Sequence, residues 1–188
     1  MPPASAPRTN EAAACTSPFP LRRFPFIAFP LLGLLVALQS AVLSQVRLLY
    51  GTVDLVLLVL VAWSVQERVK TAWHWGVIGA LLVSLASAMP LGALLLSYLL
   101  AIGAALLLRR MLWQRPLLAM VTATFLGSLL AHAIAIAALQ FGGTPIPLLE
   151  AINLITLPSA LLNLLLSIPI YALVGDLANW LYPQEIEI

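Results

Sequence analysis

Few side chains in this 188-residue chain could do chemistry, and they are thinly spread. Asp54 follows Arg47 by seven residues, so the two could pair across a turn, or Asp54 could anchor a partner. The plainer alternative is a carboxylate in the first turn of a helix, where the macrodipole favours it without a further partner. Thr124, Ser128 and His132 stand four apart, beside a line of small residues at Ala119, Ala123, Gly127, Ala131 and Ala135. Ser159, Asn163 and Ser167 repeat that spacing. Residues four apart share a helix face, so the two polar lines could meet, with His132 and Asn163 hydrogen-bonded between helices. As chemistry, His132 would be a proton relay. Relays use chains of Asp, Glu and His, and no acidic residue shares its helix, so a satisfied structural histidine is the reading. Interhelical bonds of this type average about 0.6 kcal/mol and set register more than stability.

Nothing else assembles into a reactive centre. The sequence has no Gly-rich phosphate loop, no metal-spaced His/Cys cluster and no His-Glu-x-x-His. Its two histidines lie far apart, and one cysteine, Cys15, excludes an intrachain disulfide. A secondary transporter would carry an ionisable centre near the midplane, and none is evident. The chain is therefore expected to be non-enzymatic, with no catalytic residue, metal or cofactor.

The elements that position these groups are membrane helices. Apolar residues make up 62%, charged residues 9%, and the mean hydropathy is +1.05. A soluble all-α domain with so few charges would aggregate. The expected fold is an all-α membrane protein, a bundle of six transmembrane helices. Residues 1–22 read as a Pro/Ala/Ser/Thr-rich disordered tail, 23–182 as the integral domain and 183–188 as a short second tail. Six apolar runs, each near the roughly 20 residues a span needs, cover about 24–44, 50–66, 72–89, 91–108, 116–140 and 158–181. Between the last two, Leu148–Thr156 reads either as the start of a long, kinked sixth span or as a short periplasmic interfacial helix. The second is favoured, because Pro158 suits a first helical turn and 158–181 already suffices to cross. Pro169 is expected to kink that span.

With the N-terminus inside, the inner segments hold Arg8, Arg22, Arg23, Arg68, Lys70, Arg109, Arg110 and Arg115, and the outer segments hold only Arg47. That asymmetry places both termini in the cytoplasm. The third and fourth runs form a hairpin turning at Met89-Pro90. Gly76, Ala80, Ser84 and Ala88 line one helix, and Ala93, Ser97, Ala101 and Ala105 the other. Small faces let backbones approach in lipid, where apolar burial cannot drive association.

The order of features resembles the rod shape-determining MreD family of bacteria, from about Val53 to Tyr171. Val53-Asp54-Leu55 keeps the Asp of the family's Pro-Asp-Leu opening of the second span. Trp75-Gly76-Val77-Ile78-Gly79, Ser87 and Pro90-Leu91-Gly92 match its third-span pattern, while Ser84 stands where many members carry an acidic residue. Leu157-Pro158-Ser159 and Leu161-Leu162-Asn163 look like its final-span opening. The resemblance implies a multi-pass protein of the bacterial cytoplasmic membrane, a non-enzymatic scaffold in cell-wall elongation. Implied partners are an MreC-like single-span coiled-coil protein, a RodA-type glycosyltransferase, a penicillin-binding transpeptidase and the MreB filament. Membrane lipid is the other expected contact, and nucleic acid is not.

On that reading Gly76, Ala80, Ser84, Ala93, Ser97 and Ala101 are candidates to receive a partner helix, with packing inside the bundle as the competing expectation. Arg47, Asp54, His132 and Asn163 are the intramembrane polar candidates. The rival is the substrate-capture subunit of an energy-coupling-factor-type vitamin or metal importer, with Gly33, Ala37 and Ala41 suited to docking. Against it, Arg47, Asp54, Glu150 and Asn153 are nearly the whole outer polar inventory, and a polar ligand wants several convergent groups. A lipid-modifying enzyme would lack a nucleophile–base pair.

Overall fold

A computed structural model describes residues 24–43, 51–67, 69, 72–112, 114–143 and 147–181. Of these, 88% are helical, and no strand occurs among them. Arg47, Cys15 and the proposed tails lie outside the described residues. The helices are α1 (Phe24–Leu38), α2 (Leu55–Val65), α3 (Ala72–Ala86), α4 (Leu91–Met111), α5 (Pro116–Phe141), α6 (Leu148–Ala151) and α7 (Leu157–Leu181). Three stretches, Leu91–Met111, Pro116–Phe141 and Leu148–Trp180, are long and apolar enough to cross a membrane, and three apolar helices are shorter.

The centre is α2. Its sequence, Leu-Val-Leu-Leu-Val-Leu-Val-Ala-Trp-Ser-Val, is apolar on every side, and all eleven residues are buried. A helix without a polar face belongs in a protein core or in lipid, and here it forms the core. α1, α3, α4, α5 and α7 all pack on it. Side-chain pairings fix their directions. Tyr98 meets Asp54 while Arg109 meets Ser64 and Gln66, so α4 runs parallel to α2. Ser159 meets Thr52 and Asn163 meets Asp54, so α7 is parallel too. Trp75 stacks on Trp63 at 4.6 Å, and Gly79 faces Val56 and Leu60, so α3 runs the other way.

Around α2, polar side chains point in and many leucines point out. Ser97, Thr124, Ser128, Ser159, Asn163 and Ser167 are buried, while Leu85 is 85% and Leu165 72% exposed. That inversion is stable against hydrocarbon, which accepts leucine and cannot hydrogen-bond a hydroxyl.

Closest approaches fall at small residues. A methyl on Gly76 would collide with Ile102, and one on Gly127 would lie 3.2 Å from the Ala101 methyl. At Gly51 an added Cβ would sit 2.9 Å from Pro158 Cβ and 3.0 Å from Ser159 N. α5 ends at Gly142 and Gly143, the latter at φ +84°, where a side chain is disfavoured.

The favoured reading of Leu148–Thr156 as a separate interfacial helix is corrected: 148–181 is continuous. α6 passes through a π turn, Ile152–Thr156, into α7, and Ile152 and Leu157 keep α-helical dihedrals. Pro158 offers no N–H to the carbonyl four residues back and its ring crowds that carbonyl. Widening the preceding turn to five-residue pairing accommodates both effects. The helix also continues through Pro169. The third run is shorter than expected, ending at Ala86, and Pro90 precedes the first residue of α4 as its cap.

Two glycines test this packing. Gly51→Ala should cost about 1–3 kcal/mol, since it drives a methyl into the α7 backbone. Gly33→Ala, with nothing within 4 Å of the new Cβ, should be neutral or stabilise by up to about 1 kcal/mol. Unfolding midpoints of the two variants in the same detergent check the ordering.

Candidate functional site

The site grows from the amino end of α2. The first helical N–H groups have no partner within the helix, and no water reaches a bundle interior easily. Asp54 meets this need as the N-cap, its Oδ1 accepting from Leu57 N–H at 3.0 Å. Gln39, in the π turn Gln39–Leu43 that follows α1, takes the Val56 N–H on Oε1 at 3.3 Å. The Asp54 backbone N–H is itself donated to Asn163 Oδ1 at 3.0 Å, and the Thr52 N–H to Ser159 Oγ at 2.9 Å. Asn163 then donates through Nδ2 to Ser128 Oγ at 3.0 Å. Tyr98 closes the network by donating its hydroxyl to both Asp54 oxygens, at 3.0 and 2.9 Å. One carboxylate thus ties α2 to α4 and, through its own backbone, to α7 and α5.

The other end of α2 is closed by the same helix, α4. Arg109 Nη1 donates to the carbonyls of Gln66 at 2.9 Å, Ser64 at 3.1 Å and Val69 at 3.5 Å. Tyr98 and Arg109 are eleven positions apart, the length of α2. Parallel helices rise alike, about 16 Å over that length, so one helix reaches both ends of the other.

Beside Asp54 lies a cavity of about 270 Å³. Gln39, Asp54, Ser87, Tyr98, His132 and Asn163 are among its polar lining, and Ala93, Ala131 and Ala135 provide the room. Its deep edge, Ser128, is twelve residues from one end of α5 and thirteen from the other. Asp54, His132, Ser87 and Gln39 each keep part of their surface open, whereas Tyr98, Ser128 and Asn163 are buried.

Sequence reasoning placed several of these residues. Asp54 is the N-cap, just before the first turn where the plainer alternative put it, and it has the further partner, Tyr98, that this alternative did without; the polar lines of α5 and α7 do face each other. The bond between them joins Asn163 to Ser128, a turn away from His132. Among the described residues His132 has no hydrogen-bond partner and borders the cavity. Of the small-residue candidates, Gly76, Ala80, Ser97 and Ala101 are enclosed within the bundle, and Ser84 and Ala93 are half-buried. Tyr98 was missed. Its signal was a tyrosine eight residues into an apolar helix, away from the interface where tyrosines collect, so its hydroxyl needs an internal acceptor.

Tyr98→Phe leaves the half-buried carboxylate short of a donor and should cost about 1–3 kcal/mol. In the Asp54→Asn background the same change should cost less, giving a positive coupling in a double-mutant cycle followed by reversible unfolding. Arg109→Gln should destabilise independently of both, because its contacts are at the far end of α2. Comparison with protein-family profiles, curated proteins and solved structures finds no match to this chain.

Proposed function

We propose that this chain is a six-span protein of the bacterial cytoplasmic membrane, both termini inside, acting as a non-enzymatic scaffold in cell-wall elongation, as the resemblance to MreD implies. The observation that carries this reading is a convergence. Val53-Asp54-Leu55, Ser87 with the Pro90-Leu91-Gly92 turn, and Leu157-Pro158-Ser159 with Asn163 are the segments on which the resemblance rests. They are up to about a hundred residues apart, yet Asp54, Ser87 and Asn163 line one cavity, and Pro158 and Ser159 pack against Gly51 and Thr52. That segments so far apart in the chain adjoin at one end of the bundle supports the reading.

The alternating directions of α2, α3 and α4 support successive spans, and the eight cationic residues expected inside against Arg47 outside support the orientation. Arg109, level with the carboxyl end of α2, marks the inner side, and the Asp54 cavity the outer. Enclosed small-residue faces make the bundle a rigid body for partners to hold, rather than a set of open grooves.

The cavity itself favours a second reading, a substrate-capture subunit of an energy-coupling-factor-type importer. Purification of the tagged chain from its native membrane in mild detergent separates the two. Recovery of an MreC-like single-span coiled-coil protein, with or without wall synthases, is the expected result. Recovery of an ATPase module with a bound vitamin or metal would replace it with the importer reading.

A further inference from the structure

α4 carries a groove near its carboxyl end, on the side of the bundle where Arg109 closes α2. Gly103, Leu106, Leu107 and Arg110 are spaced i, i+3, i+4 and i+7, so they share one helix face. With Arg109 they line a cleft of about 370 Å³. The seven-residue interval from Gly103 to Arg110 is a rise of about 10 Å. Gly103 leaves a notch at the deep end, where an added Cβ would meet the Trp73 indole at 3.5 Å. The groove is apolar toward the middle of α4 and cationic at its end.

Its two arginines are not neutralised. Arg109 donates through Nη1 to three carbonyls at the end of α2. Pinning one nitrogen of a planar guanidinium orients the others, and the Nε and Nη2 hydrogens have no acceptor among the described residues. Arg110 is exposed and has neither hydrogen bond nor ion pair among those residues. Glu67, in the turn after α2, lies toward Tyr171 of α7, and no described carboxylate lines the cleft. The dipole of α4 places about half a negative charge here, against the full positive charge of each arginine.

We propose that this groove binds an anionic phospholipid. The phosphate takes the free N–H groups of Arg109 and Arg110, since guanidinium forks match phosphate oxygens. One acyl chain lies along Leu107 and Leu106 to the Gly103 notch. A soluble phosphate would use the rim alone and leave Leu107, 59% exposed, uncovered. A lipid joins charge and apolar chain in the order the groove presents them. Basic pockets at the ends of membrane helices recognise anionic headgroups in this way.

The inference rests on α4 lying in a membrane and not on the scaffold role. Copurified partners test that role separately, so failure of one is distinguishable from failure of the other.

The test supplies the full chain in mild detergent with equal amounts of dioleoylphosphatidylglycerol and dioleoylphosphatidylcholine. Mass spectrometry of the intact complexes counts each lipid retained. Preferential retention of the phosphatidylglycerol is expected. Arg110→Gln should lower that preference about fivefold, the contribution of one arginine near an anionic surface. Arg115→Gln, outside the cleft, should leave it unchanged. Gly103→Leu fills the notch without touching either arginine and should reduce retention of the phosphatidylglycerol. Leucine is the better helix former and Arg110 is exposed, so both variants should fold. Equal retention of the two lipids, equal effects of Arg110→Gln and Arg115→Gln, or unchanged retention in Gly103→Leu would each overturn the proposal. So would displacement of the lipid by soluble glycerol 1-phosphate, since the acyl groove would then add nothing.

Discussion

The structure depends on satisfying the two ends of a helix that has no polar surface. α2 is enclosed along its whole length, so its unpaired N–H and C=O groups meet other helices rather than solvent. In hydrocarbon each such group left bare costs several kcal/mol, more than the packing of any one leucine recovers. Asp54, Gln39 and Arg109 remove that cost, and each comes with a partner that fixes a neighbouring helix. The equal length of α2 and the Tyr98–Arg109 interval sets the register of α2 against α4. A slip by one residue would leave both ends unpaired at once.

From that constraint the rest follows by layers. Because α2 is held in register, Gly76 and Gly79 can bring α3 into close contact with α4 and α2, and Gly51 can admit the first turn of α7. Close approach in turn brings Ser128, Ser159 and Asn163 within bonding distance of the α2 amino end. Of the two π turns, Gln39–Leu43 supplies Gln39 to this region and Ile152–Thr156 precedes Ser159 and Asn163. Such turns often mark functional sites, because widening a helix redirects the side chains beyond it. The cavity is the space left where six elements converge on one carboxylate and the facing residues are alanines.

Much of this was legible in the residues. The apolar runs mark the helices, and the four-residue spacing of Ser159, Asn163 and Ser167 marks the inward face of α7. Asp54 before an apolar run marks the amino end of a helix. What was not legible is partnership. Nothing in the sequence says that Tyr98, forty-four residues on, completes the cap, or that Arg109 does more than orient the chain. Spacing put His132 and Ser128 on one face without saying which of them lies level with Asn163, since that is set by the rise and tilt of two helices. Proline gave the wrong signal at 158, where a π turn absorbed what a helix start would otherwise explain.

The most direct test of the account is the distance between the Asp54 carboxyl carbon and the Tyr98 phenolic ring carbon, measured by solid-state NMR on the labelled chain in lipid bilayers. Only one other aspartate, Asp176, needs to be distinguished. The account predicts a separation of about 4 Å or less, as a hydrogen bond between those groups requires. A separation beyond about 6 Å would contradict it, and with it the claim that α4 holds α2 at both ends.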